Sequence, residues 1–359
     1  MFQYAAGRRL TNTRREMRKG KRSTITDVAD KANVSVGTVS HFLNGTTNVS
    51  PALRDRIERA MHALGYEQNM LAHAQRRQRA AVVGISVPHV DSAYLAALIE
   101  SFEDIAAVRG YQVMQVLTRR DPQVELRRVR ELLRHRVAGL LLVPTYDPRE
   151  TLELIHASGT PAVLVDRPNG DERFDEVTFN NREVMRDATD RLIRLGHRRI
   201  LLVVQSQSLS ISRIRIDALR QRAAAAPFPV EVSVLEVGDE PQNHARRLGE
   251  ALGTASRPLA VVVSNSVIAA RAFRALKGAA GAFPSRISLL AFEEPEWAEL
   301  TSPQLSVIRQ PVKAIAREAW ELLLRRMRGE AFPVQRLELR AEIVLRDSVQ
   351  PVGRERRRA

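Results

Sequence analysis

A chain of 359 residues is long enough for a small headpiece and two further core-forming lobes, and 44% hydrophobic with 27% charged residues is an ordinary globular composition. The absence of cysteine excludes disulfide staples, thiolate metal sites and cysteine nucleophiles, and fits a reducing, cytoplasmic setting. The formal net charge of +15 is unevenly spread: residues 1–80 carry fifteen Lys/Arg against six Asp/Glu, a local +9 that attracts polyanions, and no apolar run approaches a bilayer span.

Residues 1–22 are polar and basic without apolar periodicity and read as a disordered extension. No apolar stretch follows the basic start, so it lacks the pattern of a secretory signal. Met17 lies just before the first organised segment and is an alternative start to Met1.

Residues 23–66 hold three short helical patterns. Thr26 is the expected N-cap of a first helix over Asp27–Ala32, with Asp27 complementing the helix dipole. Ala29 is small where two helices must cross, and Asn33 suits a tight turn that needs positive φ. Ser35 caps a second helix over Val36–Leu43. Ile25, Val28, Ala29, Val34, Val39, Phe42 and Leu43 supply the interior. Ser50-Pro51 opens a third helix, whose Leu53, Ile57, Ala60, Met61 and Leu64 recur at spacings of three and four, and Tyr66 closes the small core.

Two helices joined by a short turn, followed by a third that packs across them, form a helix-turn-helix, whose second helix enters the DNA major groove. Val36 can pack on a thymine methyl and His41 can donate to a guanine edge, while Gly37 is silent in direct readout. Thr38, Ser40 and Asn44 suit phosphates, which fix register without reading sequence. An accidental helical hairpin is the bland alternative to this reading.

Residues 67–80 form a polar, basic linker. Beyond it, apolar runs alternate with amphipathic helices. Strands are expected over Val82–Val87, Tyr111–Leu117, Gly139–Val143 and Pro161–Asp166, with helices over Ala93–Arg109, Pro122–Arg136 and Pro148–Ala157 between them. The alternation restarts after Phe179: helices Arg182–Leu195, Arg213–Ala225, Pro241–Leu252 and Val267–Lys277, and strands Arg199–Val204, Val230–Val237, Leu259–Val263 and Ile287–Phe292. Such alternation predicts an α/β fold with two doubly wound lobes, and ligands gather at the carboxyl ends of such strands. Residues 81–348 are therefore read as a two-lobed sensor and 349–359 as a basic tail.

The headpiece residues Ile25-Thr-Asp-Val-Ala29, Val34-Ser35, Thr38-Val-Ser40, Asn44, Val49-Ser50 and Leu64-Gly-Tyr66 resemble the signature of the LacI/GalR family of bacterial regulators. Arg136-Val-Ala-Gly-Leu140, Leu195-Gly-His-Arg-Arg-Ile200, Ile287-Ser288, Gln310-Pro311 and Leu345-Arg346-Asp-Ser348 continue the resemblance through the rest of the chain. It implies lobes like those of periplasmic-binding proteins, and a homodimer (a tetramer staying open) on a near-palindromic double-stranded operator. It also implies a small-molecule effector held between the lobes, with no cofactor, no metal and no membrane partner. Repression is the commoner family outcome, and activation stays open.

By the same match the DNA-facing set is Thr24, Ser35, Val36, Gly37, Thr38, Ser40, His41 and Asn44, with Gln75, Arg76 and Arg77 from the linker. Tyr94, Leu95, Asp166, Arg167, Phe179, Arg215, Ser266 and Glu293 would line the effector cleft. Several positions depart from the family. Gln68 stands where proline is usual, and Gln75 where a leucine wedges into the minor groove; glutamine reads the groove edge but is a poorer wedge. Ser266 replaces an aspartate after Asn265, Glu293-Glu294 replaces an Asp-Asp or Asp-Asn pair, and Ala218-Leu219 replaces Gly-Phe.

Duller explanations exist for several of these residues. Arg213-Ile-Arg-Ile-Asp217 could be an alternating solvated face, Asp166-Arg167 a surface ion pair, and one of Glu293 and Glu294 a loop charge. Trp297 could cover the pocket or belong to the core, His197 organises a loop, and Ala319–Met327 reads as core at a lobe crossover. The eight histidines show no metal-site spacing. A transport receptor would need a signal peptide and no headpiece, and an enzyme a nucleophile or phosphate-loop motif that the sequence lacks. A nonspecific nucleoid binder would need no readable recognition helix.

Overall fold

The computed structural model describes residues 23–44, 50–64, 82–238, 240–254, 258–278 and 283–352. They fall into two compact units, divided between Arg76 and Arg77.

The first unit is a three-helix bundle of α1 (Ile25–Ala32), α2 (Val36–Asn44) and α3 (Pro51–Leu64). Thr24, and not Thr26, caps α1. The Asp27 carboxylate accepts from the Thr24 N–H at 2.7 Å while the Thr24 hydroxyl accepts from the Asp27 N–H at 3.3 Å, a reciprocal box that starts the helix two residues early. Asn33 ends α1 in the left-handed region at φ 52°, as its place in the turn predicts. The Ser35 hydroxyl accepts from the Thr38 N–H at 3.0 Å and caps α2. Val28, Ala29, Ala32, Val39, Ile57 and Ala60 form the buried core, ringed by Ile25, Val34, Phe42, Leu53, Met61 and Leu64. Arg56 of α3 donates to the Ala32 and Asn33 carbonyls at 2.8 and 3.0 Å, so α3 also satisfies the open C-terminal end of α1.

The second unit has two lobes, each built on a six-stranded sheet. Lobe 1 contains β1 (Val82–Val87), α4 (Ala93–Val108), β2 (Gln112–Leu117), α5 (Pro122–Arg134), β3 (Gly139–Leu142), α6 (Arg149–Ser158), β4 (Ala162–Val165) and β5 (Asp175–Phe179). Lobe 2 contains α7 (Asn181–Arg194), β6 (Arg199–Val204), α8 (Ser210–Ala224), β7 (Glu231–Glu236), α9 (Pro241–Thr254), β8 (Leu259–Val263), α10 (Ser266–Gly278), β9 (Ile287–Phe292) and β10 (Ser306–Arg309). The chain then returns to lobe 1 for α11 (Val312–Met327) and β11 (Arg336–Leu339), and to lobe 2 for β12 (Glu342–Val344).

The strand orders are β11-β5-β4-β3-β1-β2 and β12-β10-β9-β8-β6-β7, the same winding twice. Every pairing is parallel except β10 with β12, so within each lobe the carboxyl ends of the main strands share one edge.

β5, β10, β11 and β12 lie beyond the strands expected from apolar runs. β5 opens with Asp175 and Glu176, both buried. Arg326 grips Asp175 with two bonds of 2.8 and 3.0 Å, and the Asn169 and Gly170 amides hold Glu176, so two carboxylates sit where a buried strand would normally place apolar side chains. β11 is an edge strand with alternating exposure. Ala319–Met327 belongs to α11, which packs on lobe 1 and buries Trp320 with its indole N–H on the Phe102 carbonyl at 3.0 Å. His197 is buried with Nε2 3.2 Å from the Gln350 carbonyl, where it ties the loop after α7 to the end of the described chain. Among the described residues no helix is long and apolar enough to cross a membrane, and no cluster has the makings of a metal site.

Candidate functional site

The outer face of α2 follows from its inner one. Val39 is fully buried and Phe42 half-buried against α1 and α3, so helical geometry turns Val36, Gly37, Ser40 and His41 the other way. Val36 is 40% exposed, and His41 is exposed beside it. A Cβ built on Gly37 meets only the Ser35 hydroxyl, at 3.6 Å, so close packing does not account for the glycine. Thr38 is half-buried and its hydroxyl lies 2.8 Å from that of Ser35, so both hydroxyls serve the cap. The Thr24 hydroxyl is likewise engaged with Asp27. Asn44 ends α2; its side chain, that of Leu43, and all of Gln75, Arg76 and Arg77 lie outside the described residues.

In the second unit a cavity of about 40 Å³ opens where the strand ends of the two lobes face one another. Tyr94, Leu95, Asp166, Arg167, Arg215 and Glu293 all line it. Phe179 lies behind it, with its ring 5.6 Å from the Arg215 guanidinium, and Ser266 touches it through Glu293. His89, Ser92, Gln205, Ser212, Asn265 and Gln310 also line the cavity and were not among the expected residues. His89, Gln205, Asn265 and Gln310 each follow a strand, so the rule that strand ends bear function could have found them.

Arg215 is only 2% exposed, which excludes the solvated-face reading. Its helix begins at Ser210, three residues earlier than the sequence pattern indicates, and buries Ser212, Arg215, Ile216 and Leu219 on one face, so Arg215 points inward. Nε donates to Asn181 Oδ1 at 2.9 Å and Nη1 to the Ser264 carbonyl at 3.1 Å, and the guanidinium stacks 3.6 Å from the Phe292 ring centre. Burial lowers its pKa to about 10, an effect that Asp166 and Glu293 oppose.

Asp166 and Glu293 occupy equivalent places, one residue past β4 and β9, the fourth strand of each lobe. Both have left-handed backbones, at φ 70° and 73°. Such strain in non-glycine residues costs on the order of 1–3 kcal/mol and gathers at functional sites. Burial raises the Asp166 carboxyl against the pull of Arg167 and Arg215. Burial also raises Glu293 to about 7, although the Ser266 hydroxyl and N–H donate to it at 2.6 and 3.1 Å. The Tyr94 hydroxyl is buried without a hydrogen-bond partner of acceptable geometry, yet lies close enough to Asp166 for the carboxylate to oppose its ionisation. Arg167 donates to the Pro144 carbonyl at 2.8 Å, and Glu125, fully buried, fixes the adjoining Thr145 through its N–H and hydroxyl at 2.8 and 3.1 Å. Burial lowers His89 to about 4, so it is neutral near pH 7.

The cavity thus brings two buried carboxyl groups against two buried guanidinium groups, ringed by amide and hydroxyl side chains. Chemically it can bind and orient a small polar molecule. Its volume holds on the order of two or three waters.

Residues 24–69 match the bacterial regulatory proteins of the lacI family, and residues 189–349 match the periplasmic binding protein-like domain. The HTH-type transcriptional regulator PtxS of Pseudomonas aeruginosa is 30% identical over 334 residues, 92% of this chain and 97% of that protein. A lac repressor dimer bound to operator and the anti-inducer ONPF superposes with a TM-score of 0.81 at 22% identity, covering 92% of this chain and all of that one, a likeness of fold. A complex of the transcriptional regulator CelR with cellobiose superposes with a TM-score of 0.67 at 27% identity, covering 91% of this chain and all of the other. Headpiece and lobes together place the chain in the lacI family of bacterial regulatory proteins: it is a DNA-binding transcriptional regulator and not an enzyme.

Proposed function

We propose that the chain is a cytoplasmic, effector-responsive repressor that binds a near-palindromic operator as a homodimer and takes a small polyhydroxylated effector, a sugar or sugar acid, between its lobes. One observation carries the ligand reading. Asp166 and Glu293 stand at equivalent strand ends, backbones strained, with Arg215 and Arg167 beside them, all buried within one cavity. Paired carboxylate and guanidinium groups match vicinal hydroxyls, each able to donate and accept. Binding of the effector shifts operator affinity by favouring one lobe arrangement.

In this reading Val36 and His41 choose the operator, Gly37 on the same face adds no base contact of its own, and Thr24, Ser35, Thr38, Ser40 and Asn44 set register on phosphates, aided by Gln75, Arg76 and Arg77. The domains are an extension (1–22), a headpiece (23–66), a linker (67–80), a sensor (81–348) and a tail (349–359).

A thermal-shift panel of sugars, sugar acids and nucleobases tests the reading. A ligand at 100 times its Kd stabilises by about 2.7 kcal/mol, which raises the melting temperature of a unit this size by about 4–5 °C. The hit should also change operator affinity in a fluorescence anisotropy titration. Compounds that stabilise the protein yet leave operator binding unchanged would contradict it.

A further inference from the structure

The two lobes are tied beside the cavity, next to its lining residues Ser92, Tyr94, Asn265 and Glu293, by groups of the chain itself. Ala93, the first residue of α4 in lobe 1, donates its N–H to the Ser266 hydroxyl oxygen at 3.1 Å. Ser266, the first residue of α10 in lobe 2, passes its own hydroxyl proton to Glu293 Oε2 at 2.6 Å. Both residues are buried, Ser266 at 5% and Glu293 at 6% exposure, so water does not compete freely for these bonds. The direction of donation is consistent throughout: a helix N-terminal amide gives to a hydroxyl, and the hydroxyl gives to a carboxylate. Ser92 caps the same helix end by accepting from Leu95 at 3.1 Å, which leaves the Ala93 amide for the group across the cavity.

We propose that Ser266 is a specificity-determining clasp: its hydroxyl fills, between the Ala93 amide and the Glu293 carboxylate, the place that a ligand hydroxyl takes over, and it holds the lobes together until displaced. The inference rests on the effector reading of the cleft for its ligand half, but the clasp itself is a property of the protein alone. A group that replaces Ser266 must accept from an amide and donate to a carboxylate at once. A hydroxyl does both; a ketone, an ether or a carboxylate does only one. The clasp therefore selects ligands that carry a free hydroxyl at that point. The Tyr94 N–H also lies close enough to Glu293 to favour its ionised form, so lobe 1 reaches this carboxylate directly as well as through Ser266.

The absence of cysteine makes the test direct. Val90→Cys in the loop before α4 and Ser208→Cys in the loop before α8 place spin labels at exposed positions on the two lobes. Double electron–electron resonance on the purified full chain, without DNA or sugar, then reads the lobe separation. The parent pair should give one narrow distance distribution. Ser266→Ala should add a longer-distance population, and Ser266→Thr, which keeps the hydroxyl, should resemble the parent. The clasp is overturned if Ser266→Ala leaves the distribution unchanged, if the parent is already broad, or if Ser266→Thr opens as far as Ser266→Ala. None of these results bears on operator choice, so failure of the clasp is distinguishable from failure of the regulatory reading.

Discussion

Replacing Ile57 by alanine should weaken operator binding severely while leaving the two-lobed unit intact. Ile57 is fully buried at the centre of the bundle, where α3 packs against Val28, Ala29 and Val39. Removing that much of a buried aliphatic side chain costs about 2–5 kcal/mol, in transfer free energy and in the cavity left behind. A bundle of this size has little reserve: at the usual stability per residue, roughly 0.05–0.15 kcal/mol, it holds only a few kcal/mol in all. The substitution should therefore unfold most headpieces at equilibrium and lower operator affinity by about 100-fold or more. The sensor's own calorimetric transition should not move, because Ile57 belongs to the other compact unit. Near-normal operator affinity in an anisotropy titration would show that the headpiece core is not what presents α2.

Replacing Arg215 by methionine should have the largest effect in the sensor. The change keeps most of the apolar contact but removes the cation from a buried site that also holds Asp166 and Glu293. Removing one partner of a buried, hydrogen-bonded charge set costs about 3–5 kcal/mol, because the remaining charges stay buried without compensation. For a unit of this size the melting temperature should fall on the order of 10 °C.

The deficit should also depend on pH. Burial already raises Glu293 to about 7, above its unfolded value, so the folded state holds that proton more tightly than the unfolded chain does. Loss of Arg215 raises it further. The folded variant thus gains stability relative to the parent as pH falls and the carboxyl is neutralised. Melts at pH 8 and pH 6 should show a smaller deficit at pH 6, and Arg215→Met with Glu293→Gln should recover part of the loss at pH 8. An equal deficit at both pH values would mean that Arg215 acts by packing alone.

Much of this architecture is written plainly in the chain. Asn33, Ser35 and the Ser50-Pro51 start state the helix boundaries of the headpiece locally, and the three-and-four spacing of Leu53, Ile57 and Leu64 states its core. Apolar runs such as Val82–Val87 and Leu259–Val263 mark central parallel strands because both faces of those strands are covered. What local pattern misses is decided at long range. β5 carries buried acids that make sense only once Arg326, some 150 residues later, closes on Asp175. β11 and β12 are short edge strands supplied by a chain that has crossed back between lobes. The capping box of Thr24 and Asp27 was legible from its spacing, yet Thr26 is an equally good cap by residue type alone.

The cleft shows the same division. Arg215, Asp166 and Glu293 follow from the family resemblance, whereas their burial and the positive φ of both acids come from tertiary structure. No sequence rule pairs Ser266 with an amide 173 residues away.

In the proposed function α2 lies across base edges and reads them. Selection of the full-length protein on random-sequence duplexes at low salt, with and without the sugar panel, tests it most directly. An inverted repeat should be enriched, with preference at one base step in each half-site relaxed by His41→Ala at a cost of about 1–3 kcal/mol. A pool that stays random under every condition, or an enriched repeat that His41→Ala binds with undiminished affinity and preference, would contradict it.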